Sequence, residues 1–379
     1  MIQGFYSFVL FLQIIFAVVR FYDYDGYMSI VQPVKDRSVH IALGFIVLCF
    51  VFYILNVGRA LFVPLVVAIG IWYLINALAK WYHHFHIGKW RIPLKLCFLV
   101  SILTLSAGIW GVIDLISDNM ARVVVAAPTY QANLETLFIA LLAELNLNAQ
   151  PTIEQITQYI DLGNMAGGLA RVFTGIIGKT IIVLVYVVFL LIEQRTFSQK
   201  IARMIDDDKQ ENRVRAILAN IDAKIRLYIG VKTLMSALTG ALSYLVLKWV
   251  GVDFAAFWGL IIFFLNFIPM IGSLAGIIFP TLLTLVQFDT YTPFIITSIG
   301  LSSVQMLIGN FLDPKMMGDT LNLSPLVILL SLAMWGMIWG IPGMFLSIPI
   351  MVITTIMLSQ FSTTQPIAVL LSKRGQIHA

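Results

Sequence analysis

The clearest candidate for chemistry is a carboxylate at the end of an apolar segment. Asp313 follows that segment and precedes Pro314 and Lys315. Because proline disfavours helical geometry in the residue before it, we expect the helix to end or bend at Asp313. The carbonyl groups freed at a helix end carry partial negative charge, so a carboxylate there needs a proton, a sodium ion or a lysine beside it. We therefore expect Asp313 to contact Lys315, Asn310 or the 336–343 segment as part of a proton or cation relay; a simple Asp-Pro turn at the cytoplasmic interface is the alternative.

Other polar groups lie in or beside apolar segments. Lys179 lies within one such segment, where its side chain either extends to the interface or takes part in an ion pathway. Asn266, Gln305 and Asn310 supply amides near the predicted membrane interior. Since polar groups are costly inside a bilayer, they are candidates for a substrate or ion pathway. The full candidate set is Lys179, Asn266, Pro269, Gly272, Gln305, Asn310, Asp313, Pro314, Lys315, Pro342 and Gly343.

The sequence lacks the motifs of enzymes and of nucleotide-driven pumps. It has no Gly-x-Ser-x-Gly, no His-Glu-x-x-His and no phosphate-binding Gly-x-x-x-x-Gly-Lys. His83 and His86 lie about one helical turn apart and His84 stands between them, but no carboxylate or cysteine completes a metal site. We therefore expect no enzyme activity, no cofactor and no metal, and energy coupling through an ion gradient or the solute's own gradient.

The composition requires a membrane as solvent. Of 379 residues, 60% are hydrophobic and 11% are charged, whereas soluble proteins carry roughly 25% charged residues. A soluble chain of this length has no core large enough to bury so much apolar surface. The net charge of +5 fits basic cytoplasmic loops better than nucleic-acid binding. Cys49 and Cys97 lie inside apolar segments, so a disulfide is not expected.

The elements that position these residues predict an all-α polytopic membrane protein with about eight membrane segments. Two long apolar regions, 254–286 and 325–358, are interrupted by Pro and Gly at 266–272 and 336–343. Each half is too short to cross a bilayer core of ~30 Å, and the freed backbone must lie inside protein or line a water-filled cavity, so both are broken or re-entrant hairpins. Uninterrupted spans are predicted at residues 39–57, 61–79, 93–116, 172–192, 229–250 and 293–311.

The distribution of charge predicts which side each loop faces. Residues 194–232 hold nine bases and five acids, a balance of +4, and are predicted to be cytoplasmic, as is the tail with Lys373 and Arg374. Residues 117–171 are poor in bases and contain an amphipathic helix, so we expect them outside, either packed on neighbours or the membrane or covering a pathway. The two hairpins then enter from opposite sides, as in alternating-access transporters.

These patterns divide the chain into seven regions. Residues 5–19 are apolar, and they either cross the membrane with a tilt or lie in its interface. The predicted regions are 1–38, an N-terminal apolar segment of unassigned role; 39–116, transmembrane helices; 117–171, the extracytoplasmic amphipathic segment; 172–193, a transmembrane helix; 194–232, a cytoplasmic helical segment; 233–360, a transmembrane core with two broken hairpins; and 361–379, the cytoplasmic tail.

Several motifs in the C-terminal half resemble those of the autoinducer-2 exporter family of bacterial, permease-like membrane proteins. The resemblance is strong over residues 172–358 and loose over 39–116. The sequence departs from the family pattern at Met270, where an aromatic residue is frequent, and at Asn266, where an acid is frequent. The matching motifs are Leu-Leu-Ile-Glu at 190–193, Lys-Ile-Arg-Leu-Tyr-Ile-Gly at 224–230, Asn-Phe-Ile-Pro-Met-Ile-Gly at 266–272, Asp-Pro-Lys-Met-Met-Gly at 313–318, Leu-Ser-Pro-Leu at 323–326, Gly-Ile-Pro-Gly at 340–343 and Ile-Pro at 348–349.

The resemblance implies an all-helical fold of about eight spans and homo-oligomers, with a pentamer as one candidate form. It implies export of the furanone autoinducer-2 in some members and sodium- or lithium-for-proton exchange in others. We therefore expect a secondary transporter of the bacterial inner membrane that exports a small polar solute, such as a signalling molecule. A cation/proton antiporter and a non-transporting oligomeric scaffold or channel-like protein are the alternatives. The expected partners are the lipid bilayer, a small-molecule or cation substrate and further copies of the chain, but not nucleic acid.

Overall fold

The structure is a computed structural model that describes residues 37–84, 86–87, 90–91, 93–144, 167–168, 175, 178, 180–194, 196, 200, 208–318 and 322–375. The predictions for residues 5–19 and for Lys179 fall outside the described residues. The chain divides into two compact units, residues 1–54 and 55–379. The described part of the first unit belongs to one helix, and all contacts discussed below lie within the second unit.

Helices make up nearly all of the described chain, and the all-α prediction is confirmed. The short β1 (His86–Ile87) pairs antiparallel with β2 (Trp90–Arg91) between two helices. The helices are α1 (Arg37–Val57), α2 (Arg59–His84), α3 (Leu94–Glu144), α4 (Thr180–Gln194), α5 (Asp208–Val250), α6 (Ala255–Leu265), α7 (Ile271–Gln287), α8 (Thr292–Gln305) with a π-helical continuation (Met306–Leu312), α9 (Asp313–Met317), α10 (Pro325–Trp339), α11 (Ile341–Ser359) and α12 (Gln365–Leu371).

Five helices among the described residues are long and apolar enough to cross a bilayer. They are Arg59–His84, Leu94–Leu137, Lys209–Val250, Thr292–Met317 and Ile341–Ser359. Large apolar side chains on the surface, such as Trp110, Trp249 and Met337, are well exposed. Such a surface is unfavourable in water and favourable in lipid, so the chain is a polytopic helical membrane protein.

Helix α3 is a single element of 51 residues, about 76 Å long. It joins the predicted span 93–116 to the amphipathic stretch that follows, so no helix end occurs near residue 116. Residues 112–127 contain no glycine or proline that would stop a helix, the helix continues through Pro128, and Arg122 pairs with Asp118 one turn earlier at 3.1 Å. An α-helix of this length is longer than the ~30 Å core of a bilayer, so part of α3 extends beyond the membrane.

Both predicted hairpins are present. Helices α6 and α7 flank a break at residues 266–270, and α10 and α11 flank Gly340. In each hairpin a glycine after the break lies against a carbonyl of the first arm. A Cβ on Gly272 would lie 1.7 Å from the Leu265 oxygen, and one on Gly343 would lie 1.9 Å from the Trp335 oxygen. Only glycine permits these two turns.

The second break is narrower than the sequence predicts. The predicted interruption covers 336–343 with Pro342 near its centre, but α10 continues through Gly336 to Trp339 and α11 begins at Ile341. Gly340, with φ 67°, makes the turn alone. Proline is tolerated in the first turn of a helix because the N–H group it lacks has no partner there anyway, so Pro342 marks a helix start.

Polar contacts close the open end of the first hairpin. Gln287, the last residue of α7, donates to the Gly251 carbonyl at 2.9 Å and accepts from the Asp253 N–H at 2.8 Å. From α3, Tyr130 donates to Asp253 at 2.6 Å and Asn133 donates to the Val286 carbonyl at 2.7 Å. The arm α6 has 11 residues, about 16 Å, so the hairpin tip reaches only part of the way along α5.

Helix α5 lies at the centre of the C-terminal half. It contacts α6, α8, α9 and α11. One buried apolar cluster joins Tyr228 and Met235 of α5 to Ile308 of the π-helical segment and to Ile348 and Val352 of α11. The side chains on the face of α5 that contacts these helices are therefore buried in the interior of the C-terminal half.

Candidate functional site

A buried ion pair lies in the interior of the C-terminal half. Lys232 Nζ of α5 donates to Asp313 Oδ2 at 2.7 Å, and the two side chains are 10% and 15% exposed. Removing two charges from water costs several kcal/mol (~5 or more) before their mutual attraction is counted, so such a pair adds little net stability. An ionisable pair inside candidate membrane spans is, by that reasoning, a functional candidate. We call Lys232 and Asp313 the buried ion pair.

The backbone around Asp313 explains how its carboxylate reaches α5. The preceding segment Met306–Leu312 is π-helical, and the Asp313 N–H donates to the Ile308 carbonyl, five residues back. Asp313 itself is helical, with φ −59° and ψ −51°. Single π-helical turns inside α-helices occur often at functional sites. Here the wider turn changes the direction in which the side chain at its end points.

At Asp313 the π-helical segment Met306–Leu312 gives way to the short helix α9, which continues to Met317. The predicted partner of Asp313 is wrong, because it is not Lys315, Asn310 or the 336–343 segment. Asn310 and Lys315 are exposed, whereas the cation that neutralises Asp313 comes from α5, 81 residues away. The expectation of a cation beside this carboxylate is confirmed, with lysine as that cation.

The buried ion pair has unused hydrogen-bonding capacity beside it. Asp313 Oδ1 and the Tyr228 hydroxyl are both buried, and neither has a hydrogen-bond partner among the described residues. Tyr228 is 3% exposed, precedes Lys232 by one turn and interacts electrostatically with Asp313. Buried polar groups without partners are rare in folded proteins and call for an explanation. A hydroxyl donor and a carboxylate acceptor together suit a proton, a water molecule or a solute hydroxyl.

A line of buried polar side chains extends from the ion pair along α5. Lys232, Ser236, Thr239 and Ser243 are each 8% exposed or less, and their spacing places them on one face of the helix. Asn266, at the break of the first hairpin, donates to Ser236 Oγ at 3.1 Å. The line covers about 16 Å of helix, roughly half of a ~30 Å bilayer core. We call these five residues the polar seam.

The structure unites only part of the predicted candidate set. Asn266 belongs to the polar seam, and Asp313 pairs with its lysine. Pro269 and Gly272 lie at the first break, where Gly272 is buried. Contacts among the described residues do not join the remaining candidates to the polar seam. Gln305 of α8 lies over Gly309 of the π-helical segment. Asn310, Pro314 and Lys315 are exposed, and Pro342 and Gly343 lie at the second break.

Sequence reasoning missed the most important partner. It counts Lys232 among the nine bases of a polar stretch, whereas the structure buries this lysine against Asp313. A signal was present: Lys232 lies within the predicted span 229–250, one turn after Tyr228 and one turn before Ser236. Three polar residues at four-residue spacing inside an apolar span indicate a polar face that must point into protein.

Comparisons with known proteins agree with the motif resemblance and extend it. A family model described as AI-2E family transporter matches residues 42–363. The AI-2 transport protein TqsA of Escherichia coli (strain K12) is 30% identical over 318 residues, which cover 82% of this chain and 89% of that protein. A relative from Borreliella burgdorferi is 30% identical over 90% of this chain and 92% of its own length, and carries a general transport-protein name. The match therefore includes the N-terminal helices as well as the core.

Proposed function

We propose that this chain, which belongs to the AI-2E transporter family, exports a small polar solute and couples that movement to protonation of the buried ion pair. The chain is a multi-pass bacterial membrane transporter, and the proposal adds its substrate class, its direction and its driving force. The observation that carries the proposal is the contact of Lys232 with Asp313 inside the candidate spans. The outward direction follows the resemblance to exporters.

The ion pair supports coupling because its two protonation states favour different packing. With both groups charged, each neutralises the other, and α5 stays against the π-helical segment. When Asp313 takes up a proton, Lys232 loses its counter-ion and becomes a buried, uncompensated charge, which costs ~3–5 kcal/mol. That cost is removed if the helices separate enough to admit water or a polar solute. A proton thereby shifts the balance between a closed and an open arrangement.

The polar seam supports an uncharged, hydroxyl-rich substrate. It offers three hydroxyls and one amide, each of which both donates and accepts hydrogen bonds. Among the described residues that form it or contact it through side chains, the charges are those of Lys232 and Asp313, which neutralise one another. A seam of this kind favours neutral polyhydroxylated solutes over ions. The relative named AI-2 transport protein makes autoinducer-2 the first such solute to test.

The broken hairpins supply the movable parts in this proposal. Their tips place loosened backbone at Pro269 and Gly272 and at Gly340, which we place at membrane depth within protein. We further propose that the stretch 194–232 and the tail after residue 360 face the cytoplasm, so that the hairpins enter from opposite sides. Single cysteines at Lys209 and Lys373, in a chain with Cys49 and Cys97 replaced, should then react with impermeant thiol reagents only from the cytoplasmic side.

A cation/proton antiporter is the second candidate. The unpartnered Asp313 Oδ1 favours it, since a carboxylate oxygen is a ligand that sodium and lithium accept. Two features favour solute export instead: Lys232 already neutralises this carboxylate, and an amide, Asn266, stands at the first break. Assembly of the chain into a homo-oligomer in the inner membrane is compatible with either activity and is part of the proposal.

Flux into inside-out membrane vesicles separates these functions. Labelled autoinducer-2 and neutral polyols of similar size are offered with and without an imposed proton gradient. Export predicts saturable uptake that the gradient accelerates and an uncoupler abolishes. Proton movement driven by sodium or lithium alone, without solute, would establish the antiporter. If neither flux occurs in vesicles that contain a normal amount of protein, the transport proposals are wrong and a non-transporting oligomeric scaffold is the remaining candidate.

A further inference from the structure

We propose that a groove along α5 binds one phosphatidylethanolamine-type phospholipid, with the headgroup on Asp222 and Arg226 and an acyl chain in the groove. The groove is an open cleft of about 540 Å³, bounded by α5 and by Met316 of α9. Its volume lies within the ~300–1,000 Å³ of typical ligand sites. It lies on the face of α5 opposite to Lys232 and Ser236, so it is separate from the polar seam.

The shape of the groove comes from one ridge of α5. Asp222, Arg226, Gly230 and Leu234 follow one another at four-residue spacing and line the cleft. Gly230 interrupts the ridge, and no atom lies within 4 Å of the position that its Cβ would take. The ridge from Asp222 to Leu234 covers about 18 Å of helix. Its apolar part, from Arg226 to Leu234, covers about 12 Å, which fits within the ~15 Å depth of one leaflet's hydrocarbon, half of the bilayer core.

The groove has a charged end and an apolar remainder, as a phospholipid has a charged headgroup and an apolar chain. The end at Asp222 and Arg226 precedes the predicted span 229–250, so it lies at headgroup level, whereas Leu234 lies inside that span. Beyond Asp222 and Arg226 the lining of the groove is apolar, and Leu227 and Met316 are both more than 40% exposed. The groove is therefore charged at one end and apolar along the rest, which matches a molecule whose polar head and apolar chain lie along the membrane normal.

The charged end favours a zwitterionic head with a primary ammonium group. Arg226 pairs with Asp222, and both remain partly exposed at 33% and 39%. Arg226 uses Nη2 to pair with Asp222 while its side chain remains 33% exposed, so the guanidinium retains further N–H donors for a phosphate oxygen. Asp222, 39% exposed, offers a carboxylate to an ammonium. A choline head lacks N–H donors, and a glycerol head lacks the positive charge.

Native mass spectrometry of the delipidated, full-length protein tests the proposal. The protein is incubated with phosphatidylethanolamine, phosphatidylcholine or phosphatidylglycerol of the same acyl composition. We expect one phosphatidylethanolamine retained per chain, at least about tenfold more tightly than either other lipid, which corresponds to ~1.4 kcal/mol. Equal retention of the three lipids would show general annular binding and would overturn the site.

Two variants locate the lipid. Gly230→Leu places a side chain in the groove at a position where nothing lies within 4 Å of the Cβ, and should abolish retention. Gly108→Leu on α3 is the matched control, since it is also helical with open space at its Cβ, and should retain the lipid like the parent. Arg226→Gln should reduce retention while the acyl groove stays intact. Retention by Gly230→Leu equal to that by Gly108→Leu would place any bound lipid elsewhere.

Discussion

The two broken hairpins share a backbone device but face different surroundings. In each, a glycine after the break lies where a Cβ would strike a carbonyl oxygen of the first arm, at Gly272 and at Gly343. The first hairpin brings the amide of Asn266 to Ser236 on α5. The second has Trp335 and Trp339 before its break, and its second arm adds apolar residues to the cluster around α5.

In the proposed mechanism this difference gives the hairpins different tasks. The first hairpin contributes a hydrogen-bonding group to the polar seam, so the movement proposed for it would change the polarity of the interior. The second contributes Ile348, Val352 and Ile356 to the apolar wall that also contains Tyr228. We propose that this wall excludes water from the buried ion pair and strengthens its electrostatic interaction. On this proposal the same turn geometry serves polar access in one hairpin and insulation in the other.

The largest effect is expected from the shared glycines. Gly272→Ala and Gly343→Ala each place a methyl group within 2 Å of a carbonyl oxygen, so both should lower the free energy of unfolding by at least ~3 kcal/mol. Gly108→Ala, which has open space at Cβ, is the control and should be neutral or slightly stabilising. Thermal unfolding in detergent measures all three. If only one hairpin glycine proves sensitive, the two turns are not equivalent.

The next effect concerns the buried ion pair, which has no counterpart in the described part of the second hairpin. Lys232→Met or Asp313→Leu alone leaves one buried charge without a partner and should cost ~3–5 kcal/mol. The double variant should be more stable than either single variant, because both charges are then gone. The exposed pair of Asp118 and Arg122 is the reference: Asp118→Asn should cost less than ~1 kcal/mol. Additive losses at Lys232 and Asp313 would contradict the coupling.

The smallest changes in stability are expected from two hydrogen-bond variants, one in each hairpin, whose solute flux should differ. Asn266→Leu keeps the side-chain size but removes the hydrogen bond to Ser236, so it should reduce solute flux strongly and cost ~1 kcal/mol. In the second hairpin Ser331 donates to the Ser347 carbonyl at 3.2 Å. Ser331→Ala should cost a similar ~1 kcal/mol and leave flux unchanged. Equal flux in both variants, measured per folded protein in vesicles, would remove the distinction between the hairpins.

Local patterns in the sequence predicted much of this architecture. Apolar length predicted the helices, and Pro and Gly inside apolar regions predicted both hairpins, because these residues act on the backbone within one turn. Asp-Pro at the end of a span correctly indicated a carboxylate that needs a cation. The identity of that cation was not predictable, since Lys232 and Asp313 are 81 residues apart and meet only through tertiary packing.

Two further features depended on context that local rules omit. The position of Pro342 suggested the centre of a break, but proline both interrupts helices and begins them, and Gly340 makes the turn. The π-helical segment Met306–Leu312 has no recognised sequence signature, yet it directs Asp313 toward α5. The motifs in the C-terminal half indicated the exporter family, and the comparisons confirmed that resemblance.

Solute flux through Asp313→Asn tests the central claim most directly. Uptake into inside-out vesicles is measured between about pH 6 and 8, where perturbed carboxylates titrate, and is normalised to folded protein. The double variant Lys232→Gln, Asp313→Asn removes both charges while it keeps a hydrogen-bonding pair, which guards against simple misfolding. Per folded protein, we predict a flux that falls about a hundredfold, as for loss of a proton-transfer group, with no remaining pH dependence in either variant. Parent-like flux with parent-like pH dependence in both would show that the buried ion pair only supports the fold.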